Sequence, residues 1–348
     1  MLKHLIKNMS TGGFALHGYN EGSLHQRLQL LKASDTFIEC LNHISTLNNE
    51  QIVIADYGSS EGYNSMVFLR QTLSKFRETS SSPILVFHND LPDNNWVKTF
   101  KTILEFEDSY IKLPNVYFSA IGRSFYDQIL PNNSVHIGLS SAALHWLSQP
   151  ISAPDNCVPS CSNNPEFKAL VSKVAHNDLV TLLRQRHKEL VSSGRLVIQF
   201  LTESISTAAS TTIINATTEN SFNKGYITEE EKKNITIPMY GRTIEEVQNA
   251  INEISDLYRA ILFTQVGESR IPGIDNLPDE EKANYVNGLK RLAAASLKGV
   301  IQKAVNRSDE ERNAIYELFI KEMSDFVDTA DVNHWPQYHL LVLEKISS

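Results

Sequence analysis

The chain has 348 residues, of which 41% are hydrophobic and 21% are charged, a composition typical of a compact globular protein. Its formal net charge of −8 would repel a phosphate backbone, and no dense cluster of Lys and Arg opposes that charge, so we expect no nucleic-acid partner. No stretch approaches the roughly 18 to 20 apolar residues that span a bilayer, and the first residues lack the apolar centre of a signal peptide, so we expect no membrane association and a cytoplasmic location.

The first part of the sequence predicts a helix followed by a βαβ unit. Apolar residues recur at helical spacing over residues 23–47, which predicts a helical lead-in. Residues 51–55 predict a buried strand, and the glycines of residues 58–62 predict a turn after it. A crossover helix is predicted over residues 64–76, and the next strand over residues 83–87.

Strands and helices continue to alternate further along the chain. A helix is predicted over residues 167–190, ending at Ser192–Gly194. A polar stretch over residues 202–218 interrupts the alternation, and a largely helical region follows it. The remaining predicted strands are residues 116–120, 135–139, 195–200 and 338–344. This order predicts an α/β fold with a mostly parallel sheet.

The same pattern predicts how the chain is divided. Residues 1–149, 176–209 and 335–348 would form the core that contains the sheet, and residues 150–175 and 210–334 a helical cap over one edge of it. The three cysteines are an odd number in a long chain, which favours reduced thiols over a disulfide framework. Cys157 and Cys161 lack a second Cys/His pair at metal-ligand spacing, so no metal site is predicted.

Two predicted strand ends carry residues that suit a nucleotide. Gly58 and Gly62 follow the first strand and would let backbone approach a ligand closely. Asp90 ends the second strand, where a carboxylate could accept hydrogen bonds from both hydroxyls of a ribose. Glycine turns after strands are common, and Asp90 could instead cap a helix. The residues alone therefore leave an adenosine-type ligand and an ordinary loop both open.

Ordered motifs along most of the chain carry a more specific resemblance. They are residues 9–13, 18–26, 54–64, 89–94, 122–126, 140–149 and 225–240. In this order the motifs resemble the SABATH family, which contains the salicylate, benzoate and jasmonate carboxyl methyltransferases and the purine N-methyltransferases. The resemblance implies a Rossmann-like class I methyltransferase fold whose core binds S-adenosylmethionine as the methyl donor, with S-adenosylhomocysteine as the product.

The resemblance also assigns residues to the methyl donor. Asp90 would hold the ribose hydroxyls, Phe125 would lie on the adenine, and Ser124 would bond the edge of that ring. The methionine end would contact Asp56, Tyr19 and Asn64. The other cofactor positions implied are Gly18, Gly58, Ser59, Leu91 and Ser140.

For the acceptor, the resemblance implies that Gln26 and Trp146 donate hydrogen bonds to a carboxylate. His145 would be a further donor or a packed helix residue. Two departures weaken an aromatic-acid preference, because Thr11 stands where salicylate-type members carry a lysine, and Ala142 where a tyrosine is common.

A carboxylic acid is already ionised at neutral pH and needs no general base. We therefore predict a methyltransferase that forms the methyl ester of a small, partly apolar acid. N-methylation of a small heterocycle is the alternative enzymatic interpretation, and S-adenosylmethionine binding without turnover is the non-enzymatic one. The resemblance further implies a homodimer.

Overall fold

The computed structural model describes residues 19–47, 51–202, 209–266, 279–327 and 337–347. In chain order the strands are β1 (Ile52–Tyr57), β2 (Ile84–Asp90), β3 (Val116–Gly122), β4 (Val135–Ser141), β5 (Leu190–Leu201), β6 (Tyr258–Val266) and β7 (Tyr338–Lys345). The α-helices are α1 (Tyr19–Gly22), α2 (Leu24–Leu31), α3 (Ser34–Leu47), α4 (Tyr63–Phe76), α5 (Trp96–Glu105), α6 (Pro165–Glu189), α7 (Ala209–Asn223), α8 (Glu229–Asn234), α9 (Ile244–Glu253), α10 (Asp279–Ala304) and α11 (Asp309–Val327).

These strands form one sheet with the order β3-β2-β1-β4-β5-β7-β6. The five strands from β3 to β5 in this order are parallel to one another, whereas β7 lies between β5 and β6 and is antiparallel to both. The predicted α/β fold with a mostly parallel sheet is therefore confirmed. Because strand order reverses between β1 and β4, the carboxyl ends of β1, β2 and β4 meet at a switch point where such sheets bind ligands.

The sequence prediction was wrong in two places and incomplete in a third. β6 lies in the region predicted to be helical, yet it pairs along its length with β7. Residues 190–194, predicted as a helix end, already belong to β5. The predicted helical lead-in is divided, because α2 ends before α3 begins at Ser34. The division into a core and a cap stays a prediction.

The sheet is buried on both faces. Along β1, Ile52 and Ile54 pack with α3 and α4 on one face, whereas Ala55 and Tyr57 pack with α6 and α9 on the other. This alternation follows from the period of two in a β-strand. A separate apolar cluster joins α7, α10 and α11 and includes the start of β7.

Helix α9 begins where its sequence predicts a helix start. The Thr243 hydroxyl accepts a hydrogen bond from the Glu246 N–H at 3.0 Å, and the Thr243 N–H donates to the Glu246 carboxylate at 2.8 Å. This capping box satisfies two backbone donors that the helix itself leaves open. It also fixes the position of Arg242, the residue before the cap.

Within the described ranges no helix is both long and apolar enough to cross a membrane.

Candidate functional site

The turn after β1 is shaped by a glycine in a left-handed conformation. Gly58 has φ +86°, which strongly favours glycine, and its N–H donates to the Asn89 carbonyl at 2.9 Å. A Cβ at this position would come within 2.5 Å of the Ala143 Cβ and 3.5 Å of the Phe125 ring. The side-chain hydroxyls of Ser59 and Ser60 are buried and have no partner among the described residues. The turn is thus a close backbone approach with spare polar groups.

Asp90 lies beside this turn with both carboxylate oxygens oriented. One oxygen accepts the Ser60 N–H at 2.7 Å and the other accepts the Leu91 N–H at 2.8 Å. The pKa of Asp90 is raised to about 6, chiefly by burial, with a smaller contribution from the negative charges of Asp56 and Asp93 and an opposing one from the two N–H groups. Each oxygen keeps a lone pair for another donor, so the carboxylate can accept two hydroxyls.

Asp56 is held by a buried side-chain relay that the sequence did not reveal. His88 Nδ1 lies 3.0 Å from the Asp56 carboxylate, and His88 Nε2 lies 2.8 Å from the Tyr110 hydroxyl. Because the Asp56 carboxylate can only accept a hydrogen bond, His88 Nδ1 carries the proton that is donated to it. Burial raises the pKa of the Tyr110 phenol, so the phenol keeps its proton and can donate it to Nε2. His88 lies opposite Asp56 in the β1–β2 pairing.

Tyr19 and Asn64 are the other residues predicted to contact the methionine end of the cofactor. Tyr19 lies in α1 and Asn64 at the start of α4. Burial raises the pKa of Tyr19, and the charge of Asp90 raises it further, which places the two side chains in electrostatic contact. Asn64 instead accepts the Ser23 hydroxyl at 3.2 Å. The Asn20 amide donates to the Glu61 carbonyl at 3.3 Å and fastens α1 to the turn. Gly18 lies outside the described residues.

The predicted adenine residues lie on the loop after β3. The Phe125 ring faces Gly58 and contacts the Tyr126 ring at a centroid distance of 4.7 Å. The Ser124 hydroxyl accepts the Tyr126 N–H at 3.3 Å. By contrast, the Ser140 hydroxyl donates to the Tyr57 carbonyl at 2.9 Å and joins β4 to β1.

A buried ion pair supports the Phe125 loop. Arg186 and Glu189 are fully buried and pair at 2.9 Å. Arg186 also donates to the Phe125 carbonyl at 2.6 Å, and Glu189 accepts the Tyr57 hydroxyl at 2.7 Å. Sequence reasoning missed this pair, because nothing in the helical pattern of α6 shows that its last turn points at a distant loop.

The predicted acceptor residues lie on α2 and on the turn after β4. Gln26 is 9% exposed, and its side-chain oxygen is buried without a partner among the described residues. The His145 and Trp146 rings lie 5.2 Å apart. Burial lowers the pKa of His145 to about 3, helped by the positive charge of Arg242, so the ring is neutral at pH 7.

We call residues 144–148 the Trp146 segment. Several elements fix its backbone, through hydrogen bonds from the Tyr126 hydroxyl to Trp146 O (2.6 Å), Tyr240 N to His145 O (2.8 Å), Leu147 N to Pro238 O (2.8 Å), Ser148 N to the Asp178 carboxylate (2.8 Å) and the Arg242 guanidinium to Leu144 O. The Trp146 side chain is half-buried against the apolar cluster of α7, α10 and α11.

Helix α2 is hydrogen-bonded to the end of β5, and through it to the end of β4. The Gln199 side chain donates to the Gln29 carbonyl at 2.6 Å and accepts the Ser141 hydroxyl at 3.0 Å. Gln26, one turn earlier on α2, is therefore carried toward the same edge of the sheet. The candidate site thus has two parts. One consists of polar groups on the loops after β1 and β2, and the other combines the neutral side chains of Gln26 and His145 with the apolar residues beside Trp146.

The described residues contain no cluster of three or more His, Cys, Asp and Glu side chains able to hold a metal ion. Cys40, Cys157 and Cys161 form no disulfide.

The fold and the strand-end loops define the class of protein. The structure of a loganic acid methyltransferase with SAH superposes with a TM-score of 0.73, at 19% identity, over 98% of this chain and 99% of that one. The fold is therefore that of the S-adenosylmethionine-dependent methyltransferases.

Sequence comparison narrows the class to a family. The family model described as SAM dependent carboxyl methyltransferase matches residues 6–345, so the chain belongs to this family, the SABATH methyltransferases, and uses S-adenosylmethionine. Methyltransferase FUS9 of Gibberella moniliformis is 27% identical over 70% of this chain and 69% of its own length. A 3,7-dimethylxanthine N-methyltransferase of Coffea arabica is 26% identical over 70% of each chain.

Proposed function

We propose that this methyltransferase forms the methyl ester of a small, partly apolar carboxylic acid. S-adenosylmethionine supplies an electrophilic methyl group. On the donor side, Asp90 would accept the ribose hydroxyls, Phe125 would cover the adenine, and Asp56 would accept the methionine ammonium. The spare hydroxyls of Ser59 and Ser60 and the close approach at Gly58 fit such a ligand.

The observation that carries the carboxylate assignment is the burial of His145, whose ring lies 5.2 Å from that of Trp146 while the Arg242 guanidinium bonds the carbonyl of the preceding residue. An N–H heterocycle must lose its proton during methylation, and a base with a pKa of about 3 accepts that proton poorly at neutral pH. A carboxylate has no proton to lose. The Gln26 amide and the Trp146 indole would orient it, and the apolar cluster beside Trp146 would exclude water.

A methyl-transfer assay tests this proposal. Radiolabelled S-adenosylmethionine is incubated with benzoate, indole-3-acetate, octanoate, a terpenoid acid and a series of xanthines. We expect an organic-soluble ester from at least one acid. Label on a xanthine alone would support the N-methylation alternative, and binding of S-adenosylhomocysteine with transfer to no compound would support the non-catalytic one.

Two variants test the acceptor residues. Gln26→Leu and Trp146→Phe each remove one neutral donor, and we expect both to raise KM for the acid and lower kcat. Gln71→Leu is the matched control. The Gln71 amide, on α4, donates a hydrogen bond to the Ser34 hydroxyl of α3 at 3.1 Å, so this variant removes an amide that is not assigned to the acceptor. We expect a kcat profile without a steep optimum between pH 6 and 9, and a sharp optimum abolished by replacing His145 would contradict the mechanism.

The homodimer and the cytoplasmic location stay predictions. Family resemblance supports the first and composition the second. Light scattering after size exclusion measures the oligomeric state directly.

A further inference from the structure

Arg242 is a buried cation whose hydrogen bonds all go to neutral groups. Its side chain lies just before α9 and the residue is 4% exposed. Nη2 and Nε donate to the Ala175 carbonyl of α6 at 2.7 and 3.2 Å, and Nη1 donates to the Leu144 carbonyl. No carboxylate of the described ranges lies within ion-pair distance of this guanidinium.

The other deeply buried arginine shows the usual arrangement. Arg186 is equally enclosed, but it contacts the Glu189 carboxylate at 2.9 Å. Buried charges are normally paired in this way, because an unpaired charge loses its hydration without compensation. The carboxylate near Arg242 is that of Asp178, which is directed instead to the Ser148 N–H at 2.8 Å. Burial raises the pKa of Asp178, whereas the charge of Arg242 opposes that shift.

The guanidinium lies directly behind the acceptor side of the site. Its Leu144 contact is one residue from His145 and two residues from Trp146. Its positive charge contributes to the lowered pKa of His145, so its field reaches that ring. The Tyr126 hydroxyl, which donates to the Trp146 carbonyl at 2.6 Å, also lies within reach of Arg242.

We propose that the buried guanidinium of Arg242 makes the acceptor pocket selective for an anion over a neutral molecule of the same shape. The inference rests on the proposed carboxylate acceptor and names the group that provides its charge. Gln26 and Trp146 supply neutral donors, which can bond a carboxylate and an amide oxygen alike. Arg242 contributes a charge that only the carboxylate can use, and it does so without touching the substrate.

The charge of Arg242 can act on a bound anion that the side chain does not touch. Water and salt screen it little, because the segment and the helices around it exclude solvent. A neutral acceptor gains nothing from the field, so the charge acts on the difference between two ligands. Arg242 is therefore a specificity-determining residue and makes no bond to the reacting atoms.

Acid–amide pairs measure this difference. The probes are benzoate with benzamide, indole-3-acetate with indole-3-acetamide, and octanoate with octanamide, titrated calorimetrically into protein saturated with S-adenosylhomocysteine. For Arg242→Gln, which keeps an amide donor for the Leu144 or Ala175 carbonyl, we expect acid affinity to fall roughly tenfold while amide affinity is unchanged. Arg242→Lys keeps the charge and should preserve most of the acid preference.

Two controls separate charge from structure. Arg184→Gln removes the same charge from an exposed position on α6 and should change neither ligand. The affinity for S-adenosylhomocysteine and the melting temperature should be similar in all variants. If Arg242→Gln weakened acid and amide equally, Arg242 would only fasten the Trp146 segment, and the inference would be overturned.

The unchanged protein provides an independent test should Arg242→Gln not fold. It should bind the acid at least tenfold more tightly than the amide, and this preference should persist at high salt because the cation is buried. Equal binding of the pair, or a preference abolished by salt, overturns the inference. Failure of the proposed function looks different, since in that case no acid of the panel is methylated whatever residue stands at position 242.

Discussion

Lowering the pH should weaken cofactor binding through Asp90. The pKa of this carboxyl is raised from 3.8 to about 6, and only its ionised form can accept both ribose hydroxyls. If the protonated form binds negligibly, the dissociation constant of S-adenosylhomocysteine rises by the factor 1 + 10^(pKa − pH). At pH 5 this is about tenfold relative to pH 7.5, whereas a pKa of 3.8 would give a change of only about 6%.

Calorimetric titration between pH 5 and 8 measures this dependence. Asp90→Asn keeps the shape of the side chain but cannot ionise, so its weaker binding should vary little with pH over this range. An affinity that stays constant down to pH 5, or the same fall in Asp90→Asn, would refute the assignment of the dependence to Asp90.

Ionisation of Asp90, which favours cofactor binding, should lower the stability of the unliganded protein. A carboxyl whose folded pKa is raised stabilises the fold fully below its unfolded pKa, and this contribution is lost as the pH rises through the folded value. Asp90→Asn also replaces one acceptor of the Ser60 and Leu91 N–H groups by a donor, which shifts the melting temperature by a nearly constant amount. We therefore expect the melting temperature of Asp90→Asn, relative to that of the unchanged protein, to rise between pH 4 and pH 7.5. Cofactor affinity and apo stability should thus respond to the same group in opposite directions.

Three further substitutions, with Gly225→Ala as the control for the first, test the donor side and the ion pair that supports it. Gly58→Ala should lower both the free energy of unfolding and the affinity for S-adenosylhomocysteine, because its added Cβ would lie 2.5 Å from the Ala143 Cβ. Gly225 also has a positive φ, +74°, but has open space around it. The control Gly225→Ala should therefore lose only about 1–2 kcal/mol of unfolding free energy. His88→Leu should weaken S-adenosylhomocysteine binding about fivefold by releasing the carboxylate on β1, with the acid KM unchanged. Glu189→Ala should lower the free energy of unfolding in urea by about 3–5 kcal/mol, since it leaves the buried guanidinium beside it unpaired.

Each of these expectations has a result that contradicts it. Equal losses in the two glycine variants would show that backbone strain, and not the close approach, is what matters at Gly58. An unchanged S-adenosylhomocysteine affinity in His88→Leu would show that Asp56 needs no orientation. A loss below about 1 kcal/mol in Glu189→Ala would show that solvent reaches Arg186.

The sequence alone places Gly58 and Asp90 at neighbouring strand ends, because the determinants of that placement are local. Gly58 and Asp90 each follow a recognisable strand, and parallel strands bring their carboxyl ends to one edge of the sheet whatever their exact register. The relay behind Asp56 was beyond this reasoning. A histidine two residues before a strand end contacts Asp56 only because β1 and β2 pair in the observed register, which no single segment specifies.

β6 was missed for a different reason. It is an edge strand with one paired neighbour, and several of its residues are exposed, including Ile261 at 41%. Its sequence, YRAILFTQV, therefore mixes polar and apolar residues without the clean alternation of a strand buried on one face. The side chain of Arg242 was equally inaccessible to prediction, since its role depends on α6 and the Trp146 segment meeting around it.

The two halves of the site are thus built by different physical means, and this determines which can change independently. The donor half consists of backbone turns and strand-end carboxylates, and altering them disturbs the sheet itself. The acceptor half consists of one short segment whose backbone is fixed by α6, by the Phe125 loop and by residues 238–242, while the Trp146 side chain faces the helices α7, α10 and α11. The hydrogen bonds described above come from elements other than those helices. In the proposed arrangement, the side chains of these helices can vary the shape of the acceptor pocket without moving the cofactor, which would let one fold accommodate relatives named for an acid and for a xanthine.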